Sequence, residues 1–330
     1  MLNIKKLTMA KEASDVSLTQ KILNYSVYIV LAVLIVYFSF SSPVFLSQSN
    51  IRNFFSQIPA VGLLTLAVTM ILITGQIDLS VASTLAFSGT LAAWLATQGH
   101  HPVVVIGLSL LSGAGWGLVN GFFITKFKLE PFILTLGTGY IIRGLALFAT
   151  NGINVSGVPN WFFDISNTRI ATTGFLSFFS SNTLIFFVLI GVFSFVLNKT
   201  RFGRYCFAVG SNKEAARLSG IKTDVHIIKV YIVAGMVAAL AGILTMSNLN
   251  VGAPSEGVGT DLFALAGAII GGSKFGGGVG TISGAIAGIF TIQVFQNGLS
   301  ILGVNTFMQQ VVLGIIIVVA VVIDYFRRKN

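Results

Sequence analysis

The chain has 330 residues, of which 54% are hydrophobic and 9% are charged, and its formal net charge is +10. Soluble domains carry about 25% charged residues, so this composition excludes an ordinary soluble protein. Apolar runs of the length that an α-helix needs to cross a bilayer recur along the chain. The sequence therefore predicts an all-α polytopic membrane protein with a single transmembrane domain over residues 1–330. The positive charge fits cytoplasmic loops better than a nucleic-acid partner.

The apolar runs and the polar breaks between them predict about ten transmembrane helices. In chain order the predicted spans are Ile22–Phe40, Ile58–Thr74, Val81–Thr97, Val103–Thr125, Pro131–Thr150, Asn182–Asn198, Ile227–Asn248, Asp261–Gly272, Thr281–Ser300 and Phe307–Tyr325. Ser41–Gln57 is expected to be a connector in the membrane interface. Asp261–Gly272 is short, so a re-entrant segment is the alternative there.

Glycine is frequent inside the predicted spans, and several glycines recur at four-residue spacing. This spacing places small residues on one helix face and lets neighbouring helices approach closely. The sets with this spacing are Gly113, Gly117 and Gly121, then Gly267 and Gly271, then Gly284 and Gly288.

The positions of the basic residues predict the orientation. Cytoplasmic loops carry an excess of Lys and Arg. If the N-terminus is cytoplasmic, the predicted spans place all 20 basic residues on the cytoplasmic side except Arg52, Arg143 and Arg169. We therefore expect cytoplasmic N- and C-termini. The same assignment predicts a cytoplasmic tail over residues 1–21, an extracytoplasmic loop over residues 151–181 and a cytoplasmic loop over residues 199–226.

The stretch Thr200–Ile221 is a polar, basic interruption between two apolar segments. It contains the signals of a short helix: an N-capping residue, an acidic and a basic residue three apart, small residues and a terminal glycine. These residues are Asn212, Glu214, Ala215, Ala216, Arg217 and Gly220. A short helix with a small-residue face between two membrane segments indicates that a partner docks there.

Catalytic and nucleotide-binding motifs are absent from the sequence. The chain contains no G-x-x-x-x-G-K-[ST], H-E-x-x-H or G-x-S-x-G pattern, so it is not expected to hydrolyse ATP or to be an enzyme. GGSKFGGG is interpreted as a turn between helices. His100, His101 and His226 are assigned to loops, and Cys206 is the single cysteine. We therefore expect no disulfide, no metal site and no bound cofactor in this chain.

Ionisable residues at membrane depth are few, and each is costly there, so each is a candidate functional residue. Asp78 lies in the break between the second and third predicted spans, and Arg143 lies inside the fifth. They are expected either to line a translocation path, where they could pair, or to serve the fold. In the second case Asp78 caps the third helix and Arg143 binds backbone carbonyl groups.

Side-chain amides also occur inside the fourth and ninth predicted spans, where they either line the path or join helices. They are Asn120, Gln293, Gln296 and Asn297. The residues predicted to line a path are thus Asp78, Asn120, Arg143, Gln293 and Asn297. Because acidic residues inside the spans are scarce, ion-coupled secondary transport is disfavoured. Amide, hydroxyl and aromatic groups suit an uncharged, hydroxylated solute, moved with energy supplied from elsewhere.

Several stretches, taken in order, carry a family resemblance. They are ITGQIDLSVAS (Ile73–Ser83), GLVNGFFITKFKLEPFILTLGT (Gly117–Thr138), RGLALFATNG (Arg143–Gly152), TRFGRYCFAVGSNKEAARLSGI (Thr200–Ile221), GGSKFGGGVGTISGAIAG (Gly271–Gly288) and Gln296–Asp324. Together they resemble the ribose-type permease subunits of bacterial ABC importers, within the branched-chain amino acid/monosaccharide permease superfamily. Gln76, where the family often has glycine, and Asp261, where it commonly has glutamate, depart from the pattern and leave the sugar open.

The resemblance implies the ten-helix, type II permease fold of the vitamin B12 importer, in a bacterial inner membrane. It implies as partners ABC ATPase subunits that bind ATP and Mg²⁺, an extracytoplasmic solute-binding protein, and a second permease subunit, identical or paralogous. Glu214–Gly220 matches the family's coupling stretch E-A-A-x-x-x-G, on which the ATPases would push. The expected solute is a ribose-like monosaccharide or a similar small polyhydroxylated molecule. The alternatives are a nucleoside, autoinducer-2 or branched-chain amino acid permease and, less favoured, a stand-alone secondary transporter.

Overall fold

A computed structural model describes residues 18–305, 307–312, 314, 315 and 318, with side chains from residue 25 onward. Residues 1–17 of the predicted tail and most of the predicted span Phe307–Tyr325 therefore lie outside the described residues. The helices are α1 Leu18–Ser41, α2 Gln48–Ile73, α3 Val81–Thr97, α4 Pro102–Phe127, α5 Pro131–Ala149, α6 Asn160–Asn167, α7 Ser181–Lys199, α8 Arg201–Ser211, α9 Lys213–Leu218, α10 Thr223–Leu249, α11 Thr260–Ile270 and α12 Ile282–Ile301, with a 3-10 helix at Phe175–Phe178.

Helices make up nearly all of the regular structure in the described part of the chain. Six of them, α2, α4, α5, α7, α10 and α12, are long and apolar enough to cross a membrane. Shorter apolar helices are α3, α11 and the segment Tyr25–Ser41 of α1. The prediction of an all-helical, polytopic membrane protein is therefore confirmed.

Helix α10 lies at the centre of the bundle and packs against α4, α3 and α2. Close approach is possible because glycines face each other. A Cβ added to Gly89 on α3 would lie 2.5 Å from the carbonyl oxygen of Gly242 on α10, and Gly113 on α4 meets Gly235 on α10 in the same way. The predicted glycine packing is thus confirmed. The sets on α11 and α12 also face each other, through Gly267 with Gly288 and Gly271 with Gly284.

The prediction of a connector over Ser41–Gln57 is wrong for its second half, because α2 begins at Gln48 and continues through Pro59. Proline lacks the N–H that would bond the carbonyl of Phe55 one turn earlier. Helix α7 supplies the missing donor and a second donor to the next carbonyl. The Thr183 hydroxyl donates to the Phe55 carbonyl at 2.6 Å, and the Asn182 amide donates to the Ser56 carbonyl at 2.8 Å. The helix can therefore continue inside the membrane.

Helix α11 corresponds to the short eighth predicted segment. It has 11 residues, which gives a length of about 17 Å at 1.5 Å per residue against a hydrocarbon core of about 30 Å. It is therefore too short to cross the membrane as one straight helix, in line with the re-entrant alternative. The loop before it is held by paired backbone hydrogen bonds between Val155 and Gly252, at 2.8 and 2.9 Å.

The predicted loop over residues 151–181 contains structure that its sequence did not reveal. Helix α6 buries Phe162 completely. The Ser166 hydroxyl donates to the Leu244 carbonyl of α10 at 2.8 Å, and the Ser247 hydroxyl donates to the Phe162 carbonyl at 2.5 Å. The segment therefore folds onto the end of α10. At 8 residues, α6 is too short to produce a clear helical period in the sequence.

Candidate functional site

Helix α9 and the residues that flank it include all those predicted to couple the chain to a partner. The Asn212 side chain accepts a hydrogen bond from the Ala215 N–H at 2.9 Å and so caps the helix. Gly220 has a φ of 85° and ends it in a left-handed conformation that favours glycine. Of the predicted small residues, Ala215 is exposed and Ala216 is buried. The predicted capped helix is therefore present, with most of its surface exposed.

Glu214 and Arg217 bind each other on the exposed surface of α9. The two atom pairs are Nη2 to Oε1 at 2.6 Å and Nε to Oε2 at 3.1 Å. The hydrogen bond from Arg217 lowers the pKa of the Glu214 carboxyl, and the hydrogen bond to Glu214 raises the pKa of Arg217. This pair stabilises the short helix locally. Leu218, next to it, is 77% exposed, so α9 presents an apolar side chain beside an ion pair.

Two side-chain contacts attach the α8–α9 region to the central helix α10. Lys213 at the start of α9 forms an ion pair with Asp224 in the first turn of α10, with Nζ to Oδ1 at 2.9 Å. Cys206 Sγ on α8 lies 3.3 Å from His226 Nε2 on α10. His226 is therefore helical and buried, and its assignment to a loop is wrong. The α8–α9 region is therefore joined to the first turn of α10.

A glycine contact joins α8 to the end of α2 and to the loop before α12. The Gly278 N–H donates to the Ile73 carbonyl at 2.8 Å. A Cβ added to Gly277 would lie within 2.8 Å of backbone atoms of both Gly75 and Gly210. The GGSKFGGG segment is thus a packed turn between helices, as its sequence predicts.

Asp78 and Asn120 form a buried network in the break between α2 and α3. The Asp78 carboxylate accepts hydrogen bonds from the Ser80 N–H at 2.7 Å and the Ser80 hydroxyl at 2.6 Å. The Asn120 amide donates to the Ser80 hydroxyl at 2.8 Å, and the Tyr231 hydroxyl donates to the Ile77 carbonyl at 2.8 Å. These contacts fix the turn that leads into α3. The N-cap of α3 is Ser80, without a side-chain capping bond, so Asp78 serves the fold by holding this turn and the prediction that it caps the helix is wrong.

Arg143 binds backbone carbonyl groups. One guanidinium nitrogen donates to the carbonyls of Pro254 at 2.8 Å and Glu256 at 2.5 Å, and the other donates to Ala82 at 3.4 Å. Within the described residues the ion pairs are those of α9, so Arg143 and Asp78 do not pair. Arg143 therefore holds the irregular loop before α11 against α3.

Asn297 joins two helices through a reciprocal amide pair. Its Nδ2 donates to Asn50 Oδ1 at 2.9 Å, and Asn50 Nδ2 donates to Asn297 Oδ1 at 3.0 Å. Asn50 also donates to the Phe45 carbonyl at 2.8 Å. This geometry ties α12 to the start of α2, as the helix-joining interpretation of Asn297 predicts. Asn297 also lines a cavity of about 470 Å³, so its place on a path stays a prediction.

Gln293 and Gln296 line a cavity among α2, α3, α7, α10, α11 and α12. The cavity has a volume of about 370 Å³, and its polar lining residues are Ser56, Gln57, Asn182, Thr245, Asn248, Glu256, Thr260, Gln293 and Gln296. A second cavity of about 470 Å³ adjoins it and shares Gln57, Gln293 and Gln296. Gln57 and Asn248 were missed as candidates because each stands at the end of a predicted segment.

The lining of this cavity is mixed. Amide and hydroxyl side chains lie beside apolar ones such as Leu85, Leu244 and Phe263, and Glu256 is its one ionisable residue. In the part of the chain that the structure describes, no cluster of His, Cys, Asp or Glu could hold a metal ion.

Comparison with known proteins identifies the family. The family described as branched-chain amino acid transport system / permease component matches residues 50–321. The chain is 37% identical to the ribose import permease protein RbsC of Bacillus subtilis (strain 168), over 91% of each chain. It is 35% identical to the L-arabinose ABC transporter permease protein AraH of Azospirillum brasilense, over 94% of this chain and 90% of that protein. It is also 35% identical to the D-allose transport system permease protein AlsC of Escherichia coli (strain K12), over 93% of each.

No solved structure matches the chain at a significant level. The resemblance drawn from the sequence is confirmed, because these relatives are sugar ABC permeases aligned over most of their length. Permease components of this kind are not enzymes, and ATP hydrolysis lies in a separate subunit. The chain belongs to the family of branched-chain amino acid transport system permease components, among relatives that carry monosaccharides.

Proposed function

We propose that the chain is the membrane subunit of an ATP-driven importer and forms the translocation path for a monosaccharide or a similar small polyhydroxylated solute. The observation that carries the substrate class is the similarity to ribose, arabinose and allose permeases over most of the chain. The lining of the 370 Å³ cavity supports it, because amides and hydroxyls exchange hydrogen bonds with sugar hydroxyls.

We infer that ABC ATPase subunits dock on α9 in the cytoplasm. The capped helix, its exposed Leu218 and the ion pair from Lys213 to Asp224 support this role. Closure of the ATPases on ATP would push α9, and the contacts of α8 and α9 with α10 would carry the movement into the bundle. ATP and Mg²⁺ would bind to the ATPases, with none held by this chain.

The remaining assembly follows from the same proposal. The chain would adopt the ten-helix type II permease fold, with both termini in the cytoplasm, in a bacterial inner membrane. Two such subunits, identical or paralogous, would enclose the path, and an extracytoplasmic solute-binding protein would deliver the solute. Six helices of spanning length and the concentration of basic residues around α8 and α9 support this arrangement.

The family description names branched-chain amino acids as another solute class. A zwitterionic amino acid carries a positive and a negative charge, whereas a monosaccharide carries neither. The cavity offers Glu256 and no basic lining residue, which favours the neutral sugar.

Co-purification tests the proposed function. The chain, expressed with its ATPase and binding protein, should retain the ATPase on a column, and ATP hydrolysis should rise when the sugar-loaded binding protein is added. Leu218→Asp should lower ATPase retention about tenfold, because it puts a charge in an apolar contact. Leu176→Asp serves as the control, because Leu176 is an exposed leucine of the 3-10 helix Phe175–Phe178, outside α8 and α9. Equal retention in both variants would contradict docking on α9.

A further inference from the structure

Several amide side chains of the bundle form hydrogen bonds within it: Asn50 with Asn297, Asn120 Nδ2 with the Ser80 hydroxyl, and Asn182, at the edge of the 370 Å³ cavity, with the Ser56 carbonyl. Four other amides line the same cavity and, among the described residues, have no hydrogen-bond partner. They are Gln57, Asn248, Gln293 and Gln296. No hydrogen bond of the fold therefore accounts for these four amides.

The unpartnered amides come from three different helices. Gln57 lies about 14 Å from the start of α2 at 1.5 Å per residue. Gln293 and Gln296 stand on neighbouring turns of α12, and Asn248 stands near the end of α10. An amide without a partner is costly in hydrocarbon. Their convergence on one cavity therefore indicates that this wall faces water or a solute.

The cavity lies in the half of the bundle away from α9. It is lined by the first half of α2, from Ser56 to Val61, whereas the end of α2 at Ile73 contacts Gly278 and Gly210 beside α9. Pro59, at the cavity wall, is the residue whose missing donor is replaced by α7. The amides thus surround a space that is separate from the docking helix.

We propose that Gln57, Asn248, Gln293 and Gln296 form a binding site for one uncharged, polyhydroxylated solute, and that they set its selectivity. This inference rests on the proposed function. Each amide offers donors and acceptors, as a sugar hydroxyl does, so four amides can match several hydroxyls in fixed directions. Phe263 provides an apolar surface in the same cavity for the C–H face of a sugar ring. The volume of about 370 Å³ is in the range of small-molecule sites.

The site predicts that the permease rejects analogues that lack hydroxyl groups. When a site is built to hydrogen-bond a hydroxyl, an analogue without it leaves the site's polar groups unpaired. The amides of this chain would then act as a second filter after the binding protein.

Uptake into liposomes tests the site. The permease, ATPase and binding protein are reconstituted together, and import of radiolabelled D-ribose, L-arabinose and D-allose is measured per ATP hydrolysed. For an imported sugar, Gln57→Leu on α2 and Gln293→Leu on α12 should each lower the ratio about tenfold. Gln293→Asn should lower it less than Gln293→Leu. ATP hydrolysis stimulated by the binding protein should stay within about twofold of the wild type, because α9 is untouched.

The control is Gln98→Leu, at an unpartnered amide after α3 that lines neither cavity; it should import like the wild type. Because Gln57→Leu and Gln293→Leu break no hydrogen bond, both complexes should assemble. If the wild-type complex imports a sugar and both leucine variants import the same amount per ATP hydrolysed, the proposed site is overturned and the proposed function stands. A wild-type complex that imports none of the three sugars would contradict the proposed function itself.

Discussion

Pro59 in α2 leads to a specific prediction about the free energy of unfolding. Thr183→Val removes the hydroxyl that donates to the Phe55 carbonyl at 2.6 Å. Thr183 is completely buried, so no water can replace it. Valine has nearly the same shape, so the change tests the hydrogen bonds of the hydroxyl rather than packing. The hydroxyl also lies 3.3 Å from Asn182 Oδ1 and 3.4 Å from Ser180 Oγ, so the bond to Phe55 is isolated by a second change at Pro59. In the Pro59→Ala background the N–H of residue 59 can bond the same carbonyl within the helix, and the hydroxyl becomes dispensable.

The expected magnitude follows from the contact. Leaving a buried carbonyl unsatisfied costs about 1–3 kcal/mol, while hydrogen bonds between membrane helices average about 0.6 and reach about 1.7 kcal/mol. We expect Thr183→Val to lower the free energy of unfolding by about 1.5 kcal/mol in the presence of Pro59. With alanine at position 59 the loss should fall to about 0.5 kcal/mol, which gives a coupling energy of about 1 kcal/mol.

A double-mutant cycle measures this coupling. The single and double variants are unfolded with sodium dodecyl sulfate in mixed micelles, and helix loss is followed by circular dichroism. Thr291→Val provides a matched control, because Thr291 is a buried threonine that donates to a carbonyl of its own helix at 2.7 Å. It should cost the same with proline or alanine at position 59. An equal cost for Thr183→Val in both backgrounds would refute the role of α7 in sustaining α2.

Two further predictions concern contacts between helices. Lys213→Glu should lower ATP-driven uptake about two- to fivefold, because it breaks the ion pair that ties α9 to α10. Adding Asp224→Lys should restore uptake. A double variant as slow as the single one would contradict a role for this ion pair. Asn50→Leu and Asn297→Leu should each lower the free energy of unfolding by about 1–2 kcal/mol, because each change leaves the other amide without its hydrogen-bond partner. The double variant should therefore lose less than the sum of the two single losses. Strict additivity in the unfolding assay would argue against the amide pair.

The long apolar helices could be predicted from the sequence because length and hydrophobicity alone define them. Helix α4, expected over Val103–Thr125, runs over Pro102–Phe127. The capped helix α9 was also predictable, since Asn212 and Gly220 act on their own local backbone. Capping residues and terminal glycines act within one helical turn, so their effect can be predicted without the rest of the fold.

Features that depend on distant partners were not predictable. The start of α2 is rich in polar residues and contains Pro59, which indicates a connector until the donors from α7 are known. Asn297 had two open interpretations because its partner Asn50 lies far away in sequence. The cavity residues Gln57 and Asn248 were missed for a related reason: a lone amide near a span end carries no periodic signal, and only the bundle brings it beside Gln293.

ATP-dependent uptake distinguishes an ATP-driven permease from a transporter that acts alone. Proteoliposomes containing this chain, its ATPase and its sugar-loaded binding protein are compared with proteoliposomes that contain this chain alone. We expect sugar accumulation only in the complete system, and only with ATP and Mg²⁺. Accumulation by the chain alone, or uptake that persists when the ATPase cannot bind, would contradict an ATP-driven permease and favour a stand-alone transporter or channel.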